Sequence, residues 1–263
     1  MKLSKVLFTI IALAVILTVP VLAENRIKVG VTPGEHEEIM EQVAKIAAEK
    51  GLAIDIVSFT DYVMPNQALD DGDLDANSFQ HAPYLDRQTK DRGYDLSVVG
   101  YTIVTPMGLY SDKYKSLDAL PDGAQIAIPN DPTNGGRALL LLQSKGLIRL
   151  DAGSGLVPGP LDVVDNPKAF RFIELDAAQL PRALADVDAA AINTNYASEA
   201  GLDPARDSIA IESAGNNPYA NVIVTRGKDS KADWVKILVD SYHCDTIRDF
   251  INKRYGGAVL PAF

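Results

Sequence analysis

Apolar and polar positions along this chain follow two periods in turn, and their alternation predicts the elements. "RIKVGVTPG", Arg26 to Gly34, reads as a short strand closed by a turn at Pro33 and Gly34. Apolar residues then recur at Ile39, Val43, Ile46 and Ala47, which is helical spacing, with Lys50 and Gly51 as the stop. "LAIDIVSF" next alternates as a strand. The opening is therefore a βαβ unit, whose parallel strands need a crossover helix and favour a layered α/β arrangement.

The same pattern continues downstream. A helix is expected near Pro65, a short segment toward Phe79, and a second helix through "PYLDRQTKDRG". "LSVVGYTIVTPMGLYS", Leu96 to Ser111, is longer than a strand of about five or six residues. It fits a crossing between two lobes better than a place in one sheet. "AQIAIPND" and "FRFIEL" read as strands, "PTNGGRALLLLQSKGLI" and "DAAQLPRALAD" as helices, and "DAAAINTNYASEAG" as a strand running into a loop and helix. "YANVIVTRG" can carry the chain back, and a last helix from Ala232 is expected to break or bend before Gly256. The expected architecture is two α/β lobes joined by crossings near residues 104–108 and 220–225. The first lobe comprises residues 24–105 with 224–263 and the second residues 106–223. In such open α/β architectures ligands sit where strands end and loops converge, often between lobes.

The amino terminus bears on the compartment. Lys2 and Lys5 precede an apolar run from Val6 to Leu22, and Val21 and Ala23 fit the small-residue positions of a cleavage site. A secretory signal peptide over residues 1–23, cut between Ala23 and Glu24, is the expected reading. An uncleaved membrane anchor is the rival. Cleavage would leave 23 Lys and Arg against 35 Asp and Glu, a net charge of −12. That surface repels phosphate backbones and argues against a nucleic-acid partner. The single cysteine, Cys244, excludes an internal disulfide. It is expected as a small buried helical residue, because it and His243 point about 100° apart on a helix and cannot act as a pair.

Candidate chemistry gathers at three places. In "IPNDPTNGGRAL" a strand runs through Asn, Asp and Gly residues into a helix, a start that exposes backbone N–H groups and attracts an anion. Arg137 in the first turn of that helix can clamp a carboxylate through two N–H groups, or simply pair with a nearby acid of the protein. No Lys followed by Ser or Thr marks a phosphate loop. Asn193, Asn195, Asn217 and Asn221 offer amides at strand ends, suited to an amino-acid head group but also common in turns. In "NSFQHAPYLD", Phe79 and Tyr84 with the upstream Tyr62 can wall an apolar slot, with His81 as its polar edge. Ordinary core aromatics and a satisfied histidine are the competing reading. The spacing of His36, His81 and His243 does not make a metal site, and no GxSxG, HExxH or GxGxxG after the first strand marks an enzyme.

Together, "VGVTPGEHEEIMEQV", "DYVMPNQALDDGDLDANSFQHAPYLD", "IPNDPTNGGRALLLLQSKGLI", "AAAINTNYA" and "NPYANVIVTR" run in order along the chain. The pattern resembles the methionine-binding proteins of bacterial ABC importers, the NlpA or MetQ lipoprotein family. The resemblance implies a periplasmic-binding-protein fold of type II-like organisation that closes on methionine or a close analogue. It implies delivery to a membrane permease with its ATPase, no catalysis, no cofactor, and a monomer. By the same resemblance Arg137 would hold the ligand carboxylate, with Asn195 and Asn221 near the head group. Tyr62, Phe79, His81 and Tyr84 would line the side-chain slot, and Asn134 and Asn193 are secondary candidates. Residues 1–30 contain no cysteine, a departure from the family's lipoproteins that points to a freely soluble periplasmic form, or to retention by the apolar segment. A related amino acid, a methionine-containing dipeptide, a metal-binding importer component and a secreted amino-acid enzyme remain alternatives.

Overall fold

The structure, a computed structural model, describes residues 25–215 and 217–263. The expected cleavage point between Ala23 and Glu24 lies outside the described residues. Alternation in β1 (Asn25–Val31) sends Ile27, Val29 and Val31 into the interior. Helix α1 (Glu35–Glu49) buries Ile39, Met40, Val43 and Ala47, and β2 (Leu52–Ser58) returns parallel to β1 in register from Asn25 opposite Leu52. Helix α2 (Met64–Asp71), strand β3 (Ala76–His81), helix α3 (Ala82–Arg92) and strand β4 (Leu96–Tyr101) follow. The long β-rich run is then divided. Strand β5 (Ile103–Val104) stays with the first lobe, and β6 (Gly108–Tyr110) already belongs to the second sheet.

The second lobe repeats the grammar. Strand β7 (Gln125–Pro129) leads into α4 (Pro132–Ser144), and a short ribbon pairs β8 (Arg149–Leu150) with β9 (Val163–Asp165). Strand β10 (Arg171–Leu175), a 3-10 turn with α5 (Leu180–Ala183), strand β11 (Ala189–Ile192), helices α6 (Thr194–Glu199) and α7 (Pro204–Asp207), and strand β12 (Ser208–Ile211) complete it. The chain returns through β13 (Asn221–Arg226), α8 (Asp233–Tyr242), α9 (Asp245–Tyr255) and β14 (Leu260–Pro261), which pairs with β5.

Two expectations shift. Strand β13 is paired with β3 and β4 from Asn221 onward, so the second crossing lies ahead of residue 221 rather than over 220–225. The apolar run alone does not show where crossing ends and strand begins. Cys244 is not inside a helix. The last helix breaks at His243, and Cys244 caps the start of α9, half-buried against the first-lobe core.

Each lobe is a sheet between two layers of helix. In the first, Ile223 of β13 faces the α1, α8 and α9 side while Val222 and Val224 face Leu69 of α2 and Leu85 of α3. In the second, Ile126 and Ile128 of β7 pack with α4, and Ala127 between them faces Leu180 and Tyr196. This is the two-sided alternation of a buried strand. The strand orders match: β2-β1-β3-β13-β4 in one sheet and β10-β7-β11-β6-β12 in the other. In both, the strand that enters from a crossing, β13 or β6, runs antiparallel to its neighbours. The ends of β3, β7 and β11 and the beginning of β13 therefore converge between the lobes. Among the described residues no helix is long and apolar enough to cross a membrane.

The glycines of "NGG" are explained by contact rather than by exposed amides. A Cβ on Gly135 would lie 2.6 Å from the Pro129 carbonyl oxygen, and one on Gly136 would lie 2.9 Å from Val157 Cα. Glycine to alanine in a helix interior ordinarily gains about 1 kcal/mol. Here the sign should reverse: Gly135→Ala is expected to destabilise by about 1–3 kcal/mol through overpacking against backbone. The midpoint of urea unfolding checks this, and a midpoint at or above wild type would contradict the packing account.

Candidate functional site

The converging strand ends meet around a small cavity between the lobes. Tyr62, Phe79, His81, Tyr84, Arg137, Asn195 and Asn221 all line it, as do Asn134 and Asn193. The first lobe supplies the aromatics, His81 and Asn221, and the second supplies Arg137 and the other asparagines. Residues some 130 positions apart in sequence thus share one wall. Gln80 and Thr105 also line the cavity and were not singled out from the sequence, and His36, weighed there only as a metal ligand, lines it too. Gln80 lies within the "NSFQHAPYLD" stretch itself, whereas nothing local marks His36 or Thr105.

Strand β3 ends in the cavity, and its buried Asn77, Gln80 and His81 side chains all find hydrogen-bond partners. Pairing with β13 shifts between Val222 and Val224, leaving one extra residue on β3 between Gln80 and Asn77. Such a bulge re-aims side chains. Gln80 Nε2 consequently donates to Asn77 Oδ1 at 3.0 Å and to Asn66 Oδ1 at 2.6 Å. His81 closes the strand and caps α3, its Nδ1 accepting from the Tyr84 N–H at 3.1 Å. The ring proton therefore sits on Nε2, which donates across the cleft to Asn134 Oδ1 at 3.2 Å. Burial, with Arg137 nearby, lowers the His81 pKa to about 3, so the ring is neutral at physiological pH.

The aromatic wall is continuous. Tyr62 lies 6.1 Å from both Phe79 and Tyr84 and 4.9 Å from Tyr196, measured between ring centroids. Tyr84 Oη donates to the Tyr62 carbonyl at 2.9 Å, and Tyr62 Oη donates across the cleft to Asn195 Oδ1 at 2.5 Å. A third contact between the lobes runs from Tyr196 Oη to the Thr60 carbonyl at 3.2 Å. Burial pushes the Tyr62 hydroxyl well above its ordinary pKa, keeping it a donor.

The start of α4 differs from the sequence expectation. Asp131 is the N-cap and accepts from the Thr133 and Asn134 N–H groups at 3.2 and 2.9 Å, so the chain's own carboxylate fills the anion position. With Pro132 first in the helix, Arg137 falls in the second turn rather than the first. Its bidentate edge meets a protein acid: Nε lies 3.0 and 3.2 Å from the two oxygens of Glu212, and Nη2 lies 2.6 Å from Oε2. Nη2 also donates to the Thr105 carbonyl at 2.7 Å, and the Tyr219 ring lies 4.5 Å from Cζ. Nη1 makes no hydrogen bond among the described residues and is the nitrogen left for the cavity.

Three further side-chain atoms of lining residues are buried without a hydrogen-bond partner among the described residues: the donor Asn195 Nδ2, the acceptor Asn193 Oδ1 and the ring nitrogen Nδ1 of His36. Asn193 Nδ2 is held by Asn134 Oδ1 at 2.8 Å, and Asn221 Nδ2 by the Ile103 carbonyl at 3.2 Å. A buried donor with no partner costs about 1–3 kcal/mol, so these atoms match a ligand presenting both an acceptor and a donor. Asn217 is not part of the lining. Its Nδ2 supports Glu212 Oε2 at 2.9 Å. Among the described residues no three His, Cys, Asp or Glu side chains gather as metal ligands.

Beside this cavity, Glu35 at the start of α1 is 2 % exposed. Burial raises its pKa from 4.5 to about 8, its own backbone N–H opposes the rise, and Glu38 adds to it. Between those values the folded chain keeps a proton that the unfolded chain releases. The contribution is present in full below 4.5 and is lost as pH rises through 8. Glu35→Gln should flatten that decline and be the more stable protein above pH 8, by at least about 1 kcal/mol. Urea unfolding at a series of pH values measures it, and parallel curves for the two proteins would contradict the assignment.

Residues 27–263 match the sequence profile of the NlpA lipoprotein family. The chain is 54% identical over 242 residues to the D-methionine-binding lipoprotein MetQ of Escherichia coli strain K12, covering 91% of this chain and 89% of that protein. It is 43% identical over 264 residues to outer membrane lipoprotein 3 of Mannheimia haemolytica, covering 100% of both. The solved structure of a nutrient binding protein from Burkholderia cenocepacia bound to methionine superposes with a TM-score of 0.88. That protein is 52% identical, and the match covers 90% of this chain and 100% of that one.

Proposed function

This chain belongs to the NlpA lipoprotein family, and from that premise we propose that it is the substrate-binding protein of an ABC importer for methionine. It works on the extracytoplasmic side, as a monomer, handing its ligand to a membrane permease driven by an ATPase. No bond is made or broken in the cleft. The observation that carries the ligand class is the set of unmet polar atoms beside an aromatic wall: Arg137 Nη1, Asn195 Nδ2 and Asn193 Oδ1.

An amino-acid zwitterion fits that set. Its carboxylate takes the Nη1 and Asn195 donors, and its ammonium takes the Asn193 oxygen with Asn221 alongside. The thioether lies along Tyr62, Phe79 and Tyr84, where sulfur–aromatic contacts contribute about 0.3–1.5 kcal/mol each. Neutral His81 gives that slot a polar edge without a charge. Closure of the lobes excludes water, and in that low-dielectric space the carboxylate–guanidinium attraction is stronger than in solution.

Two measurements test this. Mass spectrometry of small molecules released on denaturation should find methionine, and the stripped protein should bind L- or D-methionine one-to-one by calorimetry. Arg137→Ala should weaken binding by at least about tenfold, since a hydrogen bond to a charged group contributes roughly 1.5–3 kcal/mol. Unchanged affinity in that variant would overturn the carboxylate assignment, and no methionine binding by the wild-type protein would overturn the ligand.

A further inference from the structure

Glu212 does not line the cavity, yet it governs what Arg137 presents there. Its carboxylate is fixed from both crossings. The Met107 N–H donates to Oε2 at 3.2 Å, Asn217 Nδ2 donates to the same oxygen at 2.9 Å, and the Glu212 N–H donates to the Met107 carbonyl at 3.0 Å. Arg137 Nε and Nη2 dock on this fixed acceptor, and Nη2 is also held by the Thr105 carbonyl. With the Tyr219 ring against the guanidinium, rotation is blocked and Nη1 is the nitrogen that remains.

Charge follows from the same contact. The guanidinium is 1 % exposed and its partner carboxylate half of an ion pair at 2.6 Å, so the two cancel at close range. His81 adds no charge at neutral pH. The walls therefore combine a directed donor, an unpaired acceptor and no net charge. Such a site rewards a ligand that is itself neutral overall with its charges separated. An anion would gain the donor while leaving the Asn193 oxygen unmet, and a cation would do the reverse.

We propose that Glu212 is a specificity-determining residue of the cleft, which by orienting and neutralising Arg137 makes the site select a zwitterion over an anion or a cation carrying the same side chain. The proposal rests on the methionine reading above, and the test separates the two. Calorimetry at neutral pH compares methionine with its des-amino analogue, an anion, and its decarboxylated analogue, a cation, on wild type and Glu212→Gln. The wild-type protein should prefer methionine to both.

Removing the compensating charge in Glu212→Gln should shift the anion-to-zwitterion affinity ratio by about tenfold or more toward the anion, and shift the cation the opposite way. An equal factor on all three ligands would mean that Glu212 only supports the fold, and would overturn the proposal. Glu212→Asp keeps the charge with a shorter reach and guards against a Gln variant that does not fold. It should weaken methionine while holding the ratio within about twofold of wild type, and a ratio moved as far as charge removal predicts would overturn the charge account. Wild-type protein that fails to bind methionine would sink the ligand reading. Methionine binding with unmoved ratios in Glu212→Gln would sink only the role of Glu212.

Discussion

A guanidinium removed from water must have its charge and its N–H groups met, or the site is heavily destabilised. Arg137 is buried to 1 % exposure, and the parts of the chain that surround it are arranged by that requirement. Thr105 approaches from the first crossing, Glu212 and Tyr219 from the second, and α4 supplies the side chain itself. The glycines at 135 and 136 let α4 sit close enough to the Pro129 carbonyl and the residue 156–158 loop to deliver it. One cation thus ties the second lobe to both segments that connect the lobes.

The contacts that close the cleft are few by comparison. Tyr62 to Asn195, His81 to Asn134 and Tyr196 to Thr60 join the lobes through hydrogen bonds that each contribute a net of about 0.5–1.5 kcal/mol. A ligand that meets Arg137 Nη1 and the amides of Asn193 and Asn195 bonds to the second lobe, and its contacts with Tyr62, Phe79 and Tyr84 engage the first. Its differential affinity for the closed form then decides the population of that form, which is what a capture protein requires. The hydrogen-bond chain from Asp131 through Asn134 to His81 and Asn193 makes the helix cap part of the cleft wall. Asn134 therefore serves both the start of α4 and one of the bonds that close the lobes.

Sequence by itself determined the elements and their grouping into two α/β lobes, because a strand and a helix each carry their period in the order of apolar residues. Of the seven residues that meet in the cavity, four stand in the contiguous phrases "NDPTNGGRAL" and "FQHAPYL", and Tyr62, Asn195 and Asn221 stand in "DYVMPN", "INTNYA" and "NPYAN", phrases whose resemblance is legible without a structure. The break at His243 was legible as a bend but not as a cap, and the start of β13 was hidden in an unbroken apolar run.

What only the tertiary structure decided is which polar atoms remain free. Asp131, rather than a ligand, fills the start of α4, and Glu212, 75 positions from Arg137, takes its bidentate edge. The bulge in β3 turns Asn77 and Gln80 toward each other. Glu212 carries little local signal because, apart from Asn217, its partners lie on the other crossing and on α4. Hydrogen-bond satisfaction is a sum over neighbours in space, and the order of residues along the chain records only those that are also neighbours in sequence.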